Sequence, residues 1–395
     1  MTMGGASREA AVTCLLTLLL TGHGTQNVPT TLAGNGECRF PGKQTEGTPW
    51  PLQRILLDEL WQDTKGAGVR VAVIDSGVDD ANPQLSDAVD AAAGRDFVGT
   101  TDGTVDEAGH GTKVAGIIAA RPRAGTGFVG LAPEAVIIPI RQTDGRTSGA
   151  TDAMAEAIDH AVAADARVVN ISQDTSRPLT PDSPLGRAVA RAIAADVVVV
   201  ASAGNDGKDG RRKNTYPAAF PGVLAVAASD RNDERAPFSQ SGGFVGVAAP
   251  GVDVVSTVPG GGQCVDSGTS FSAPYVTGIA ALLRAKYPTW KASEVVDRIQ
   301  RTAVRATDGR DDELGWGVAD PVRALEGTEG EARRTAPRSA RPDPAPLSAS
   351  ETRRDRDARV ATYAVAAGGL LVALVAGTCT VLRDGRRRRR GGRMR

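Results

Sequence analysis

Aromatic residues make up only 4% of the 395-residue chain. A core must therefore be packed from Ala, Val, Ile and Leu, and the 41% of hydrophobic residues suffices for a large one. Histidine is scarcer still: His23, His110 and His160 are the three in the chain, so an imidazole chemistry has few candidates. The four cysteines are Cys14, Cys38, Cys264 and Cys379. Net charge is absent as well, with 46 Lys and Arg against 46 Asp and Glu. No fixed period runs through the 47 glycines, which excludes a collagen-like repeat and leaves tight turns as their use.

The zero net charge hides an asymmetry. From Val360 to Arg395 there are eight Arg and one Asp, a net of +7, so Met1 to Arg359 carries −7. The basic residues follow a hydrophobic run, Val360 to Leu382, that holds 23 residues without a charge and is long enough to cross a bilayer with some tilt. Arg383 and the block Arg386 to Arg390 come next. By the positive-inside rule the tail is cytoplasmic and everything before Val360 is outside, a reading about topology and not about nucleic acid. Near the start, Arg8 precedes the apolar run Ala10 to Leu20, which has signal-peptide length, although no clear Ala-x-Ala cleavage site follows. Cys14 and Cys379 fall in these two hydrophobic segments, leaving Cys38 and Cys264 in the exported part, where the simplest expectation is that they pair.

The chain thus divides into a signal peptide at 1–24, an N-terminal extension at 25–50, a globular domain at 51–326, a linker at 327–359, a transmembrane helix at 360–382 and a basic cytoplasmic tail at 383–395. The linker is rich in Arg, Pro, Ala, Ser and Glu and poor in apolar residues, which predicts a disordered tether. Within the domain, Pro51 opens an amphipathic run over Leu52 to Trp61. Val69 to Ile74 is a short apolar strand apart from Arg70, and strands are also expected at 136–140, 168–171, 197–201, 223–226 and 246–249. Helices are expected at 110–120, 151–164, 185–194, 270–287 and 291–301. This alternation predicts βαβ units around a parallel sheet. Gly125-Thr-Gly-Phe-Val-Gly130 fits G-x-G-x-x-G, but Arg121-Pro-Arg precedes it and Leu131-Ala-Pro133 follows, so it lacks the strand and helix of a dinucleotide site.

Four strings carry the chemistry. In Val71-Ala-Val-Ile-Asp75-Ser-Gly, Asp75 follows an apolar strand, where a carboxylate can hold an imidazole in one tautomer; capping the Ser76-Gly77 turn is the alternative. In His110-Gly-Thr-Lys-Val-Ala-Gly116, His110 opens a helix between two glycines, a fixed position for a base. In Gly268-Thr-Ser270-Phe-Ser-Ala-Pro274, Ser270 stands at a helix start, with Pro274 expected in the first turn. Free N–H groups and the helix dipole there favour an attacking alkoxide, though Ser270 could also serve as a structural N-cap. In Val199-Val-Ala-Ser-Ala-Gly204-Asn205-Asp206-Gly207, Asn205 follows a buried strand and can aim an amide donor at an oxyanion.

Together these strings resemble the subtilisin-like serine proteases over about Gly66 to Leu325, in which the triad runs in the order Asp, His, Ser. The resemblance implies a three-layer α/β/α sandwich with a mainly parallel sheet, plus the C-terminal transmembrane helix read above. It implies that Asp75 orients the imidazole, that His110 is general base and then acid, that Ser270 is the nucleophile and that Asn205 is the oxyanion donor. Asn170-Ile171-Ser172 resembles the substrate-binding strand, with an extended protein or peptide substrate expected along Val168 to Ser172. Ala249-Pro-Gly251 resembles the loop before the serine. The leader, extension, tether, membrane span and basic tail resemble the mycosins, which implies a membrane-anchored protease associated with type VII secretion, sitting in the plasma membrane with its catalytic domain outside. A scaffold for a secretion complex and a degradative surface protease are the alternatives. No nucleic-acid partner, catalytic metal or cofactor is expected; no EF-hand-like loop is present, and structural calcium is left open. Where many subtilisins have Ser-Leu-Gly-Gly this chain has Ser172-Gln-Asp174-Thr, so substrate preference cannot be copied. A Cys38–Cys264 bridge would hold the extension beside the active-site region, six residues before Ser270.

Overall fold

The computed structural model describes residues 38–144, 151–305 and 309–326. The expected signal peptide, linker, transmembrane helix and basic tail lie outside the described residues. Among those described, no helix is long and apolar enough to cross a membrane.

The elements that position the site are β1 (Arg70–Asp75), β2 (Arg95–Asp96), α1 (His110–Ala119), β3 (Val136–Arg141), α2 (Thr151–Ala163), β4 (Val168–Ile171), α3 (Pro184–Ala194), β5 (Val198–Ser202), β6 (Leu224–Ser229) and β7 (Val245–Pro250). After them come β8 (Val254–Thr257), β9 (Gln263–Asp266), α4 (Thr269–Lys286) and α5 (Ala292–Thr302). Strands β1 to β7 form one parallel seven-stranded sheet in the order β2-β3-β1-β4-β5-β6-β7. Successive side chains of a strand point to opposite faces, and the two cores follow this period. Val71 and Val73 enter a cluster with residues of α1, α4 and α5, whereas Ala72 and Ile74 enter a second with residues of α2 and α3. The result is the expected α/β/α sandwich. Burying each of these branched side chains contributes roughly 1.5–3 kcal/mol.

Chain order reverses direction across the sheet between β1 and β4: β2 and β3 lie on one side of β1, and β4 to β7 on the other. Crevices at the carboxyl ends of strands form at such a switch point. Asp75 ends β1 and Ser172 follows directly on β4, so both lie at that crevice.

Three local readings need correction. The run Leu52 to Trp61 is two short helices, Trp50–Gln53 and Leu57–Leu60, with Leu56 58% exposed between them. Two indoles pull it apart: Trp50 donates to the Val252 carbonyl at 3.0 Å and Trp61 to the Leu131 carbonyl at 2.9 Å, so tertiary anchors override the helical period. The β8–β9 antiparallel hairpin was not anticipated, because its short strands surround the turn signals Pro259 to Gly262. Pro274 lies inside α4 and not in its first turn.

The extension adds to the hairpin. Lys43 pairs antiparallel with Gln263, the Gln263 N–H donates to the Lys43 carbonyl at 2.9 Å, and the Gly42 N–H donates to Gly261 at 2.9 Å. Cys38 and Cys264 are joined in a disulfide that closes a loop with a sequence separation of 226 residues. Loop-closure entropy for a ring of that size corresponds to about 5 kcal/mol as an upper figure. Denaturant unfolding of the oxidised and the reduced, alkylated protein measures this. A fall of about 2–5 kcal/mol is expected on reduction, and equal midpoints would show that the bond does not constrain the unfolded chain.

Candidate active site

The His110 ring is fixed from both sides. Its Nδ1 lies 2.7 Å from Asp75 Oδ1, and Asp75 is fully buried at the end of β1. The Ser76 N–H donates to the same carboxylate oxygen at 2.8 Å. Because a carboxylate is acceptor-only, the bond to it places a hydrogen on Nδ1 and leaves Nε2 as the free lone pair of the neutral ring. The start of α1 must approach β1 closely. A Cβ on Gly111 would stand 2.0 Å from the Gly77 carbonyl oxygen and 3.0 Å from the Asp75 Cβ, so only glycine fits after the histidine.

Asp106, which sequence reasoning passed over, secures that helix end. Its carboxylate accepts from the Gly109 N–H at 2.7 Å, from the Thr112 N–H and hydroxyl at 2.8 and 2.6 Å, and from the Ser76 hydroxyl at 2.8 Å. The Ser76 hydroxyl in turn accepts from the Gly111 N–H at 3.0 Å. An acid four residues ahead of an expected helix start was the available signal. Burial pushes the Asp106 carboxyl above the usual range, against the pull of Thr112 and Ser76. For His110, burial disfavours the imidazolium, but the charge and hydrogen bond of Asp75, helped by Asp106, outweigh it; Lys113 opposes them, and the net shift is upward. The Lys113 ammonium is itself buried, 2.7 Å from Asp266 on β9 and 5.8 Å from the centre of the Phe271 ring.

Ser270 is the second residue of α4, and Gly268 holds the cap position, so Ser270 is not the N-cap. Its hydroxyl donates to the Ser172 carbonyl at 3.0 Å. The Phe271 ring packs 5.3 Å from the His110 ring, which brings the serine segment against the imidazole. Pro274 has no N–H to give to the Ser270 carbonyl four residues back. The Ser172 hydroxyl takes that place, donating to the Ser270 carbonyl at 2.8 Å. It accepts in turn from the Asn170 amide at 2.9 Å, whose oxygen accepts from Thr277 at 2.8 Å. A buried chain of polar groups thus clamps the serine turn to β4.

Asn205 Oδ1 accepts from the Thr269 N–H at 2.9 Å and the Thr269 hydroxyl at 3.0 Å. An N–H can only donate, so the atom facing Thr269 must be the oxygen, and the amide NH2 is left pointing elsewhere. It lies 3.7 Å from where a Cβ of Gly268 would be, beside the turn that carries Ser270. The Ser270 N–H sits in the first helical turn, where no intrahelical acceptor exists.

The substrate-strand expectation is corrected. Val168 to Ile171 already pair with β1 on one side and β5 on the other, so no ladder edge is open to an extended peptide there. Asn170, Ile171 and Ser172 are buried; Asn170 and Ser172 brace α4, and Ile171 belongs to the core beneath. The open backbone begins after them, at Gln173 and Asp174. His160 stands apart, its Nε2 3.0 Å from the Ala93 carbonyl. Among the described residues no cluster of His, Cys, Asp and Glu could hold a metal ion.

A parallel three-layer sandwich with an Asp–His pair and a clamped helix-start serine at its switch point defines a serine hydrolase of subtilisin architecture. The chain belongs to the subtilase family, peptidase S8, whose pattern matches residues 66–317, and it is a subtilisin-like serine protease related to the mycosins. It is 36% identical to mycosin-4 of Mycobacterium tuberculosis over 374 residues, covering 84% of this chain and 81% of that protein. With subtilisin E of Bacillus subtilis it shares 36% over 261 residues, covering 65% of this chain and 66% of that protein's length. Among solved structures it resembles the MycP3 protease of the type VII (ESX-3) secretion system, at 36% identity and a TM-score of 0.65, over 72% of this chain and 90% of that one.

Proposed function

We propose that this protein is a membrane-anchored serine endopeptidase that works alongside type VII secretion, with Ser270 as nucleophile, His110 as base and Asp75 as its orienting carboxylate. The observation that carries the reading is the fixed His110–Asp75 pair, at 2.7 Å, with its free Nε2 beside the Ser270 turn. Rotation about the Ser270 χ1 hands the hydroxyl hydrogen from the Ser172 carbonyl to His110 Nε2. Oγ attacks the substrate carbonyl carbon as the proton moves to Nε2. The oxyanion is held by the Asn205 NH2 and the Ser270 N–H, the first of which is worth about 3–4 kcal/mol at the corresponding place in subtilisin, a member of the same family. The C–N bond breaks as His110 protonates the leaving amine. Water, deprotonated by the same ring, then releases the acyl group and restores Ser270.

The wider match to mycosin-4, over 84% of this chain against 65% for subtilisin E, supports the secretion-associated reading. The uncharged run at 360–382 with its basic tail supports the anchor and an extracytoplasmic domain. A fluorophosphonate probe applied to membranes carrying the full chain tests both parts. An adduct on the peptide that contains Ser270 is expected, and a chain ending at Arg359 should label equally but leave the membrane pellet. An adduct elsewhere overturns the nucleophile; a truncated chain that stays in the pellet overturns the anchor.

A further inference from the structure

Two residues beyond Ser172 the chain carries a carboxylate, Asp174, for which the mechanism has no use. The segment that bears it is held at both ends. At one, Ser172 exchanges hydrogen bonds with Ser270 through its carbonyl at 3.0 Å and its hydroxyl at 2.8 Å. At the other, Thr175 and Tyr216 exchange both backbone hydrogen bonds, at 3.0 and 2.9 Å. Asp174 is therefore fixed relative to the nucleophile.

On the facing strand end stands Gly204, just before Asn205. Its φ of +99° lies in the left-handed region, and a Cβ there would meet Thr215 Cγ2 at 2.8 Å and Asp174 Oδ2 at 3.1 Å. Glycine thus leaves a bare strip of backbone directly under the carboxylate, between the two segments that flank Ser270 and Asn205. A substrate carbonyl held by Asn205 and attacked by Ser270 presents its own side chain to this strip.

The charges around the strip are of one sign. Asp206 is the group whose charge acts on Asp174. The basic side chains of the neighbouring loop are turned to other acids: Arg211 and Lys213 to Asp209, and Arg212 to Asp312. Lys208 has no acidic partner within ion-pair reach, and among the described residues neither Asp174 nor Asp206 has a cationic one. Asp174 is solvent-accessible, so a long cationic side chain can reach it without crossing protein.

We infer that Asp174 is a specificity-determining residue that selects Lys or Arg as the substrate residue on the acyl side of the scissile bond, a role that rests on the serine-protease reading above. A guanidinium or ammonium lying along the Gly204 strip would meet the Asp174 carboxylate in a charge-assisted hydrogen bond, with Asp206 adding attraction. A glutamate at that substrate position would be repelled by both acids.

Loss of hydration in the cleft, seconded by Asp206, pushes the unliganded Asp174 carboxyl up to about 6. The preference should therefore hold above that pH and fade below it, as protonation removes the charge that the cation seeks. Comparing two substrates separates this from His110, because both share the same base and its titration cancels in their ratio.

The test is kcat/KM for fluorogenic peptides that differ only in Arg, Lys, Ala or Glu before the scissile bond, in the unsubstituted protein and in D174N, D174G and D174E. Fluorophosphonate labelling at Ser270 shows that each variant is folded. An Arg-to-Ala ratio of about ten- to hundredfold is expected at pH 8, collapsing in D174N and D174G, restored in part by D174E, and falling below pH 6 in the unsubstituted protein only. A ratio near one, or one that D174N leaves intact, overturns the inference while leaving the protease reading standing. No hydrolysis of any peptide, with no adduct at Ser270, overturns both.

Discussion

Replacing Ser270 by Ala is expected to slow peptide hydrolysis by about a millionfold in kcat, the loss seen for the nucleophile of subtilisin, a relative of this chain. The magnitude follows from the site. The hydroxyl is the one group here that can form the acyl bond, and without it His110 can only activate water placed by chance. The substitution should barely affect folding. Its hydroxyl makes one hydrogen bond, to the Ser172 carbonyl, worth about 1 kcal/mol. The clamp itself uses the Ser270 backbone carbonyl, which alanine keeps. Turnover within a hundredfold of the unsubstituted protein, at an unchanged melting temperature, would remove Ser270 from the mechanism.

Asp75→Asn should lower kcat by about four orders of magnitude, again as in related subtilisin. An asparagine can present its NH2 toward Nδ1 and stabilise the tautomer whose lone pair faces the wrong way. The pH profile gives a second, independent readout. In the folded protein the imidazolium is favoured by the charge and hydrogen bond of Asp75 despite burial, so the His110 pKa lies above that of a free histidine. Activity that needs neutral His110 must therefore fall, on acidification, through a pH above the usual imidazole value. Removing Asp75 leaves burial and Lys113 lowering the pKa, with only Asp106 raising it. The acid limb of kcat/KM should shift to lower pH in the variant. A limb that stays in place would mean that another group controls it.

Much of this fold was legible because its strands alternate so regularly. Val71-Ala-Val-Ile in β1 distributes its side chains between two cores, and the period-two reading found it without tertiary information. The positions of Asp75 and His110 were equally legible, since a strand end and a glycine-flanked helix start are local features. What the sequence concealed depends on partners far along the chain. Asn170 and Ser172 read as substrate contacts because their strand looked open; only the register shows β1 and β5 occupying both of its edges. Pro274 looked like a helix-start residue, and the hydroxyl that compensates for its missing N–H comes from 98 positions away, so no local window could have found it. Asp106 acts through four hydrogen bonds that converge only when β1 and α1 meet.

The seam between the extension and the β8–β9 hairpin has a consequence for maturation. Residues Cys38 to Lys43 are stitched to the body by a ladder and a sulfur bridge, whereas Pro49 to Gln53 reach it through a separate indole contact. A processing cut between Lys43 and Trp50 would therefore release nothing: the severed strap would stay aboard, covalently, until a thiol arrived to free it. Shedding the leader and letting go of the strap are two different chemical events, one hydrolytic and one reductive, and only the second depends on the electron supply outside the cell.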